Sequence, residues 1–437
     1  MSAPETALPQ SPAAPRPAHR DVNVLRWLAA YTASLIGDSV YFVALAWSAQ
    51  KVAGPAEVGL VMAAGAVPRA LLMLGGGVAA DRFGVRRIVL GSDAVRCVLI
   101  LAVAAGVAVT APAVWILVAL ALAFGVVDAL FVPAVGALPP RITGPDQLAR
   151  VTGMRTLSMR VSQISGPPLG GLAMGFGGAS AAFAVAGVLF AVSLPLLLTV
   201  RLRPPGVPEP EPEDAADVRG EAAPAPGTAW QDLIGGLRHI RRHPLIGPLI
   251  AVIALCELGL TGPLNVGMVL LNGERGWGPS GYGWIISGFG AGATVGAVLL
   301  TVAGRLPRAG LTLAGTLLVG CAGAAGIALV PTLPLAVAVA LAVGLAMGIC
   351  GTLGNALVQT AADPAYLGRV TSVVMLTSVG LAPLTYPLVG AAVGAWGSAP
   401  VFVGCGAFGS LGVIVALGCG AVRRAELPRS RPRPSKA

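Results

Sequence analysis

Along 437 residues, long apolar runs alternate with short polar breaks, at intervals that suit membrane-spanning helices. Twelve runs can be drawn, at 26–49, 57–79, 88–109, 113–134, 151–174, 179–200, 245–271, 280–303, 309–331, 333–358, 367–392 and 398–421. Each is long enough to cross about 30 Å of hydrocarbon. Gly and Pro recur inside them, which bilayer helices tolerate because neighbouring helices re-satisfy the freed backbone groups. The pattern predicts an all-α membrane protein of twelve transmembrane helices.

Composition agrees: 55% of residues are hydrophobic and 11% charged, against about 25% charged in a soluble domain. The net charge of +10 does not point to nucleic acid, because the basic residues do not cluster with aromatics on a soluble segment. They fall instead on alternate loops. Arg82, Arg86, Arg87, Arg141, Arg150, Arg305, Arg308 and Arg369 lie on one side, with Arg201, Arg203, Arg238, Arg241 and Arg242 in the middle loop and Arg423 and Arg424 in the tail. The other side holds Lys51 and Arg275. Cytoplasmic loops carry the excess of Lys and Arg, so both termini are expected inside. The preference for Arg over Lys suits a GC-rich bacterial genome, and the expected location is the bacterial cytoplasmic (inner) membrane.

The expected organisation is a disordered cytoplasmic tail (1–23), a six-helix half (24–200), a cytoplasmic linker (201–243), a second six-helix half (244–422) and a second tail (423–437). Residues 1–23 lack the charged start and apolar core of a signal peptide. In the linker, Pro and Glu crowd 208–214, while apolar positions 230, 233, 234, 237 and 240 suit an amphipathic helix on anionic lipid, or a plain connector. The six cysteines lie in apolar segments without a CxxC pair and are expected as small core residues. Trp27, Trp47, Trp115, Trp277 and Trp396 stand near span ends, as interfacial anchors would.

The halves repeat each other. A shift of 219 aligns Arg150-Val151-Thr152 with Arg369-Val370-Thr371, and Leu157, Pro168, Gly171, Gly175, Phe183 and Gly187 with Leu376, Pro387, Gly390, Gly394, Phe402 and Gly406. A shift of 223 pairs Gly65 with Gly288 and Arg82 with Arg305. Parallel repeats of this kind are a transporter architecture, with a site between the halves near the midplane.

Residues 77–87 concentrate charge between two spans, and Gly77, Asp81, Arg82, Gly84, Arg86 and Arg87 resemble the signature loop G-x-x-x-D-R-x-G-x-[RK]-[RK] of the major facilitator superfamily. Gly153, Gly166, Pro167, Gly170 and Gly171 resemble that family's antiporter motif in helix 5, with Ser162 where a glycine is usual. The wording around Ser34 to Asp38, Asp232 to Pro244 and Gly262 to Asn265 is similar to its drug:proton antiporter branch, which includes macrolide-efflux and siderophore-export proteins. The resemblance covers about residues 24–422. It implies the major facilitator fold, with helices 1, 4, 7 and 10 lining a central cavity, and export of a small hydrophobic or amphipathic compound in exchange for protons. It also implies a gating role for 77–87, whose alternative is a purely topogenic loop.

Charges at membrane depth are the sharpest candidates, since each costs about 2.5–3.5 kcal/mol to insert. Asp38, Arg69, Asp128 and Glu257 are the candidates for proton or substrate coupling. A carboxyl held away from water can exchange a proton near neutral pH; for Asp38 the alternative is a structural hydrogen bond or an ion pair with Arg69. Tyr31 and Ser34 share a helix face with Asp38; Thr261 and Asn265 follow Glu257, and Thr352, Asn355 and Gln359 form a stripe on helix 10, all expected to line the cavity. Asp93 and Arg96 are expected as a local i,i+3 pair supporting the signature loop, with Arg96 reaching toward the cytoplasm.

Other classes find little support. No span holds HExxH, a Ser-His dyad or a Cys/His metal cluster, and GxxxxGK[ST] is absent, which disfavours an intramembrane enzyme or an ATP-driven pump. No cofactor or metal is expected. The partners expected are a small-molecule substrate, protons and a bilayer with anionic lipids at the cytoplasmic face, with no nucleic acid and a monomeric state. An importer or facilitator is the rival within transport.

Overall fold

Every apolar run becomes helix, because a backbone without water must bond within its own segment. The computed structural model describes residues 17–110, 112–202, 240–304, 308–363 and 366–426. In chain order the helices are α1 (Val22–Val52), α2 (Pro55–Phe83), α3 (Val85–Val109), α4 (Val114–Gly136), α5 (148–177), α6 (179–199), α7 (Ile246–Glu274), α8 (Gly278–Ala303), α9 (Ala309–Leu329), α10 (Leu333–Ala361), α11 (Leu367–Trp396) and α12 (Ser398–Gly418). Among the described residues, eleven continuous helical stretches have the length and apolarity to cross a bilayer, with α5 and α6 together forming one of them. Sharp ends come from local chemistry. Asp21 caps α1 by accepting from the Asn23 N–H at 2.8 Å, and Glu57 accepts from the Gly54 N–H at 3.0 Å at the start of α2. The α5–α6 reversal falls on Gly178, at φ 69° and ψ −161°, a conformation only glycine adopts without strain.

Several boundaries differ from expectation. The tail expected through residue 23 ends earlier: Ala18–Arg20 form a 3-10 turn, and the buried Ala18 donates its N–H to Gln147 Oε1 at 3.2 Å. The loop expected at 77–87 is far shorter, since α2 runs to Phe83 and α3 begins at Val85, so the chain reverses at Gly84 alone (φ 87°). Trp27 and Trp47 are not lipid anchors but core: Trp27 stacks on Tyr31 with ring centroids 5.7 Å apart. Trp115 and Trp396 remain exposed. The amphipathic helix expected from Trp230 lies outside the described residues until Ile240, which is buried beside α7 and α9.

The structure also refines the repeat. Helices α2, α3 and α8, α9 are related by a shift of 224, not 223. Gly125 on α4 lies against the Gly65 carbonyl, and its mate Gly344 on α10 against the Phe289 carbonyl. Gly65 therefore pairs with Phe289, and the Gly65–Gly288 match is lost. The partner expected for Arg82, Arg305, lies outside the described residues.

The two halves meet through four glycines in two symmetry-related pairs. A Cβ on Gly171 (α5) would stand 2.5 Å from the Pro279 carbonyl oxygen of α8, and one on Gly390 (α11) 2.5 Å from that of Pro55 in α2. A Cβ on Gly283 would lie 2.6 Å from the Pro167 oxygen, and one on Gly59 2.5 Å from that of Tyr386. Ser287 and Ser280 on α8 add hydrogen bonds to the Ile164 and Gly171 carbonyls at 2.7 and 3.4 Å. These contacts gather toward the ends of α2 and α8 that begin at Pro55 and Gly278. At the basic end, which carries Gly84, Val200 and Arg423, Leu157 and its mate Leu376 stand exposed. The close backbone contacts described here close the bundle at the face opposite the basic one.

Replacing Gly59 and Gly283 together by Val should push these helices apart, at the ~1–3 kcal/mol cost of overpacking per site. In a chain without native cysteines, Leu45→Cys, which lines the sealed cavity, should then label several-fold faster with a membrane-impermeant maleimide from the closed face. Unchanged labelling would count against the seal.

Candidate functional site

The centre of the amino-terminal half is Arg96, 11 positions into α3 and fully buried (0% exposed). Its Nη1 lies 3.5 Å from Asp38 Oδ1 on α1 and 3.5 Å from Asp93 Oδ1, while its Nη2 donates a short hydrogen bond to Asp128 Oδ1 on α4. The guanidinium also stands over three rings, with centroids at 4.0 Å for Phe131, 5.6 Å for Phe124 and 5.8 Å for Phe190. A cation taken from water is held by carboxylates in line with its N–H groups and by aromatic faces above and below.

The carboxylates are not equally satisfied. Asp93 accepts from Ser34 Oγ at 3.0 Å and Ser193 Oγ at 2.6 Å. Asp128 has a second cation, Arg69 Nη1, at 3.9 Å from Oδ2. Among the described residues, the buried Asp38 Oδ1 accepts no hydrogen bond, and Arg96 lies at ion-pair distance from it. Three carboxylates therefore share two guanidinium groups. The partly buried Arg155 stands over the Tyr31 ring at 5.5 Å.

Three compartments lie in series from this cluster into the other half, each sharing lining residues with the next. A compartment of about 320 Å³ in the amino-terminal half is lined by Tyr31, Asp38, Arg69, Asp128 and Arg155. A central one of about 270 Å³ shares Arg69 and Asp128 and adds Glu257, Thr261, Asn265, Tyr282 and Tyr386. A third of about 630 Å³ in the other half shares Glu257, Thr261 and Asn265 and is otherwise largely apolar. Glu257 accepts a hydrogen bond from Thr261 Oγ1 at 2.6 Å, and Asn265 Nδ2 donates to the Thr261 carbonyl at 2.8 Å. Both walls are irregular here: α7 takes a π turn at Pro263–Gly267, and α11 breaks at Leu381 before Pro383. Such breaks recur where bilayer helices line a cavity.

Several expectations change. Asp38 pairs with Arg96 and not with Arg69. Arg96 does not reach the cytoplasmic surface; about 17 Å along α3 it is too deep to do so. Ser34 does not line the cavity but lies behind it, bonded to Asp93. Of the α10 stripe, Asn355 lines the large compartment, Thr352 bonds its own helix at the Gly348 carbonyl, and Gln359 is exposed. Gly166 and Gly170 seat α5 on α1 against Ser39 and Val40, whereas Pro167 and Gly171 face α8, and Gly153 meets nothing. In the signature stretch, Arg86 donates to the Leu198 carbonyl at 2.8 Å, Arg82 and Arg87 are exposed, and the side chain of Asp81 lies outside the described residues, as does the surrounding of Gly77. Arg96 is the residue that sequence reasoning underrated, and its depth inside α3 was the available signal.

A bundle of twelve helices in two repeated halves, with charged groups around a central cavity, defines a secondary transporter. The chain belongs to the Major Facilitator Superfamily, whose family model matches residues 27–382. It is 26% identical over 365 residues to the multidrug efflux pump Tap of Mycolicibacterium fortuitum, covering 81% of this chain and 85% of that protein. It is 24% identical over 301 residues to the enterobactin exporter EntS of Shigella dysenteriae serotype 1, covering 68% and 67%. The fold matches a bacterial homologue of the human lysosomal transporter Spinster in an inward-facing and occupied conformation (TM-score 0.67, 15% identity, 94% and 97% covered). It matches equally a mutant of the nucleoside transporter NupG (TM-score 0.68, 11% identity, 91% and 100% covered).

Removing the shared cation should be costly, because it leaves uncompensated buried charge. Arg96→Gln is expected to destabilise the protein by about 3–5 kcal/mol, whereas Arg69→Gln, with a side chain 37% exposed, should cost about 1 kcal/mol or less. Tryptophan-fluorescence unfolding of both variants in detergent tests the order; equal losses would contradict it.

Proposed function

We propose that this protein exports a small amphipathic compound across the bacterial cytoplasmic membrane in exchange for protons. The observation that carries the reading is the odd count of the buried cluster: Asp38, Asp93 and Asp128 against Arg69 and Arg96. A buried site tolerates a net charge poorly, so the third carboxyl holds a proton when the site is closed. Asp38 is its seat, being the carboxyl whose buried Oδ1, among the described residues, accepts no hydrogen bond; like Asp128, it lines the 320 Å³ compartment. The names of the relatives, an efflux pump and an exporter, support the direction of transport.

In this cycle the basic face is cytoplasmic, by the distribution of arginines, and both termini are inside. In the conformation open to that face, substrate enters the central cavity as Asp38 releases its proton, which strengthens the attraction of Arg96 for α1. Rocking of the halves about the cavity then exposes it to the opposite face, where substrate leaves and a proton returns. Each proton moving down 100 mV supplies about 2.3 kcal/mol. The signature stretch anchors the basic face, where Arg86 ties α3 to the end of α6, and the exposed arginines face anionic lipid. One chain carries both halves and all compartments, so a monomer suffices.

In everted vesicles, adding a transported dye should release protons from the lumen, and Asp38→Asn should abolish that release and cut uphill dye accumulation at least tenfold. Dye movement down its own gradient should persist in the variant. Proton release undiminished in Asp38→Asn would sink the coupling.

A further inference from the structure

The second half is a hollowed copy of the first. Under the repeat, Asp38 corresponds to Glu257, Asp128 to Met347, Phe131 to Cys350, Phe190 to Gly409 and Ser193 to Gly412, all by a shift of 219. On α3 and α9 the shift of 224 relates Arg96 to Gly320 and Asp93 to Leu317. Contacts establish the match independently of the sequence. Where Arg96 meets Asp128, a Cβ on Gly320 would meet the Met347 side chain, 2.9 Å from its Sδ. Where Ser193 bonds Asp93, a Cβ on Gly412 would meet Leu317 Cδ2 at 3.1 Å. Cys97 and Cys321 occupy the same place, each beside a glycine carbonyl or backbone of the last helix of its half, Gly187 and Gly406.

One charged position of the cluster survives in this copy. Glu257 keeps its carboxylate, but the arginine that faces Asp38 has become glycine, the three aromatic rings around that arginine have become Val343, Cys350 and Gly409, and the remaining partners are apolar. Among the described residues, no Lys, Arg or His lies within ion-pair distance of Glu257. Thr261 holds one of its oxygens, and the 630 Å³ compartment opens beside it, walled by Ile253, Leu313, Met347, Cys350, Phe289 and Met375. That volume falls in the range of drug-sized sites, and methionines give walls that adapt to varied shapes.

We infer that the substrate is an amphipathic cation whose positive nitrogen or onium centre pairs with Glu257, filling the role that Arg96 plays for Asp38, while its apolar body occupies the compartment left by the missing side chains. An unpaired carboxylate in an apolar wall favours a cation and rejects an anion of the same shape, since the anion meets a like charge without solvent between them. This rests on the cavities being the transport site, and it specifies the sign and the half of the cavity that reads it. Glu257 is then a substrate-binding residue and Asp38 the proton carrier, so two symmetry-related carboxyls divide the two tasks.

The test is equilibrium binding to the purified full-length protein, with no transport step, so that failure of the export reading and failure of this one are separable. Tetraphenylphosphonium and tetraphenylborate share a shape and differ in sign. Binding is followed by tryptophan fluorescence, with empty micelles subtracted. The wild type should bind the cation at least tenfold more tightly than the anion. Glu257→Gln should weaken cation binding about tenfold or more and erase the preference, whereas Glu257→Asp should retain most of it. A wild type that binds neither ion or prefers the anion, or a Glu257→Gln variant that binds the cation as the wild type does, would overturn the assignment.

Discussion

The structure turns on one guanidinium group that cannot reach water. Arg96 is drawn into the first half by Asp38, Asp93 and Asp128 from three helices and is stacked against Phe124, Phe131 and Phe190. A buried ion pair contributes little net stability, because desolvation offsets most of the attraction. What it does supply is registry and sensitivity. The helices α1, α3 and α4 can pack in this arrangement only while the charges match, and a single proton changes the match.

In the proposed cycle the pseudo-twofold relation divides two tasks between the halves of one bundle. Near the closed face it is kept faithfully: Gly59, Gly171, Gly283 and Gly390 make four equivalent approaches to carbonyl oxygens, two from each half. Such close backbone contact needs glycine and gives surfaces that can part without tearing interlocked side chains. At mid-height the symmetry is broken. The first half fills the space behind its carboxylate with arginine and phenylalanine, and the second leaves it open beside Glu257. Function follows the asymmetry, while the mechanics follow the symmetry.

Much of this was legible in the amino-acid order. Apolar runs place the helices because a bilayer leaves the backbone no other way to satisfy its hydrogen bonds, and Asp128 and Glu257 line the central compartment, on helices that the family resemblance implied would face it. The expected i,i+3 pair of Asp93 and Arg96 is present at 3.5 Å, but its spacing gave no sign of the wider cluster; only packing brings Asp38 and Asp128, 58 and 32 positions away along the chain, to the same guanidinium group. Trp27 and Trp47 stand near span ends but turn inward, since a tryptophan's position along a helix does not reveal which face it occupies. The repeat shift of 224 and the hollow beside Glu257 required contacts, because a cavity is made of residues that are small, and small residues leave no positive signal.

The central claim is that the cluster holds one exchangeable proton and that Asp38 carries it. Infrared difference spectroscopy of the purified protein reads this directly, through the C=O stretch of a protonated carboxylic acid in the deuterium-sensitive region. The wild type at neutral pH should show one such band, and it should vanish in Asp38→Asn while persisting in Glu257→Gln. The same band at full intensity in Asp38→Asn would contradict the account.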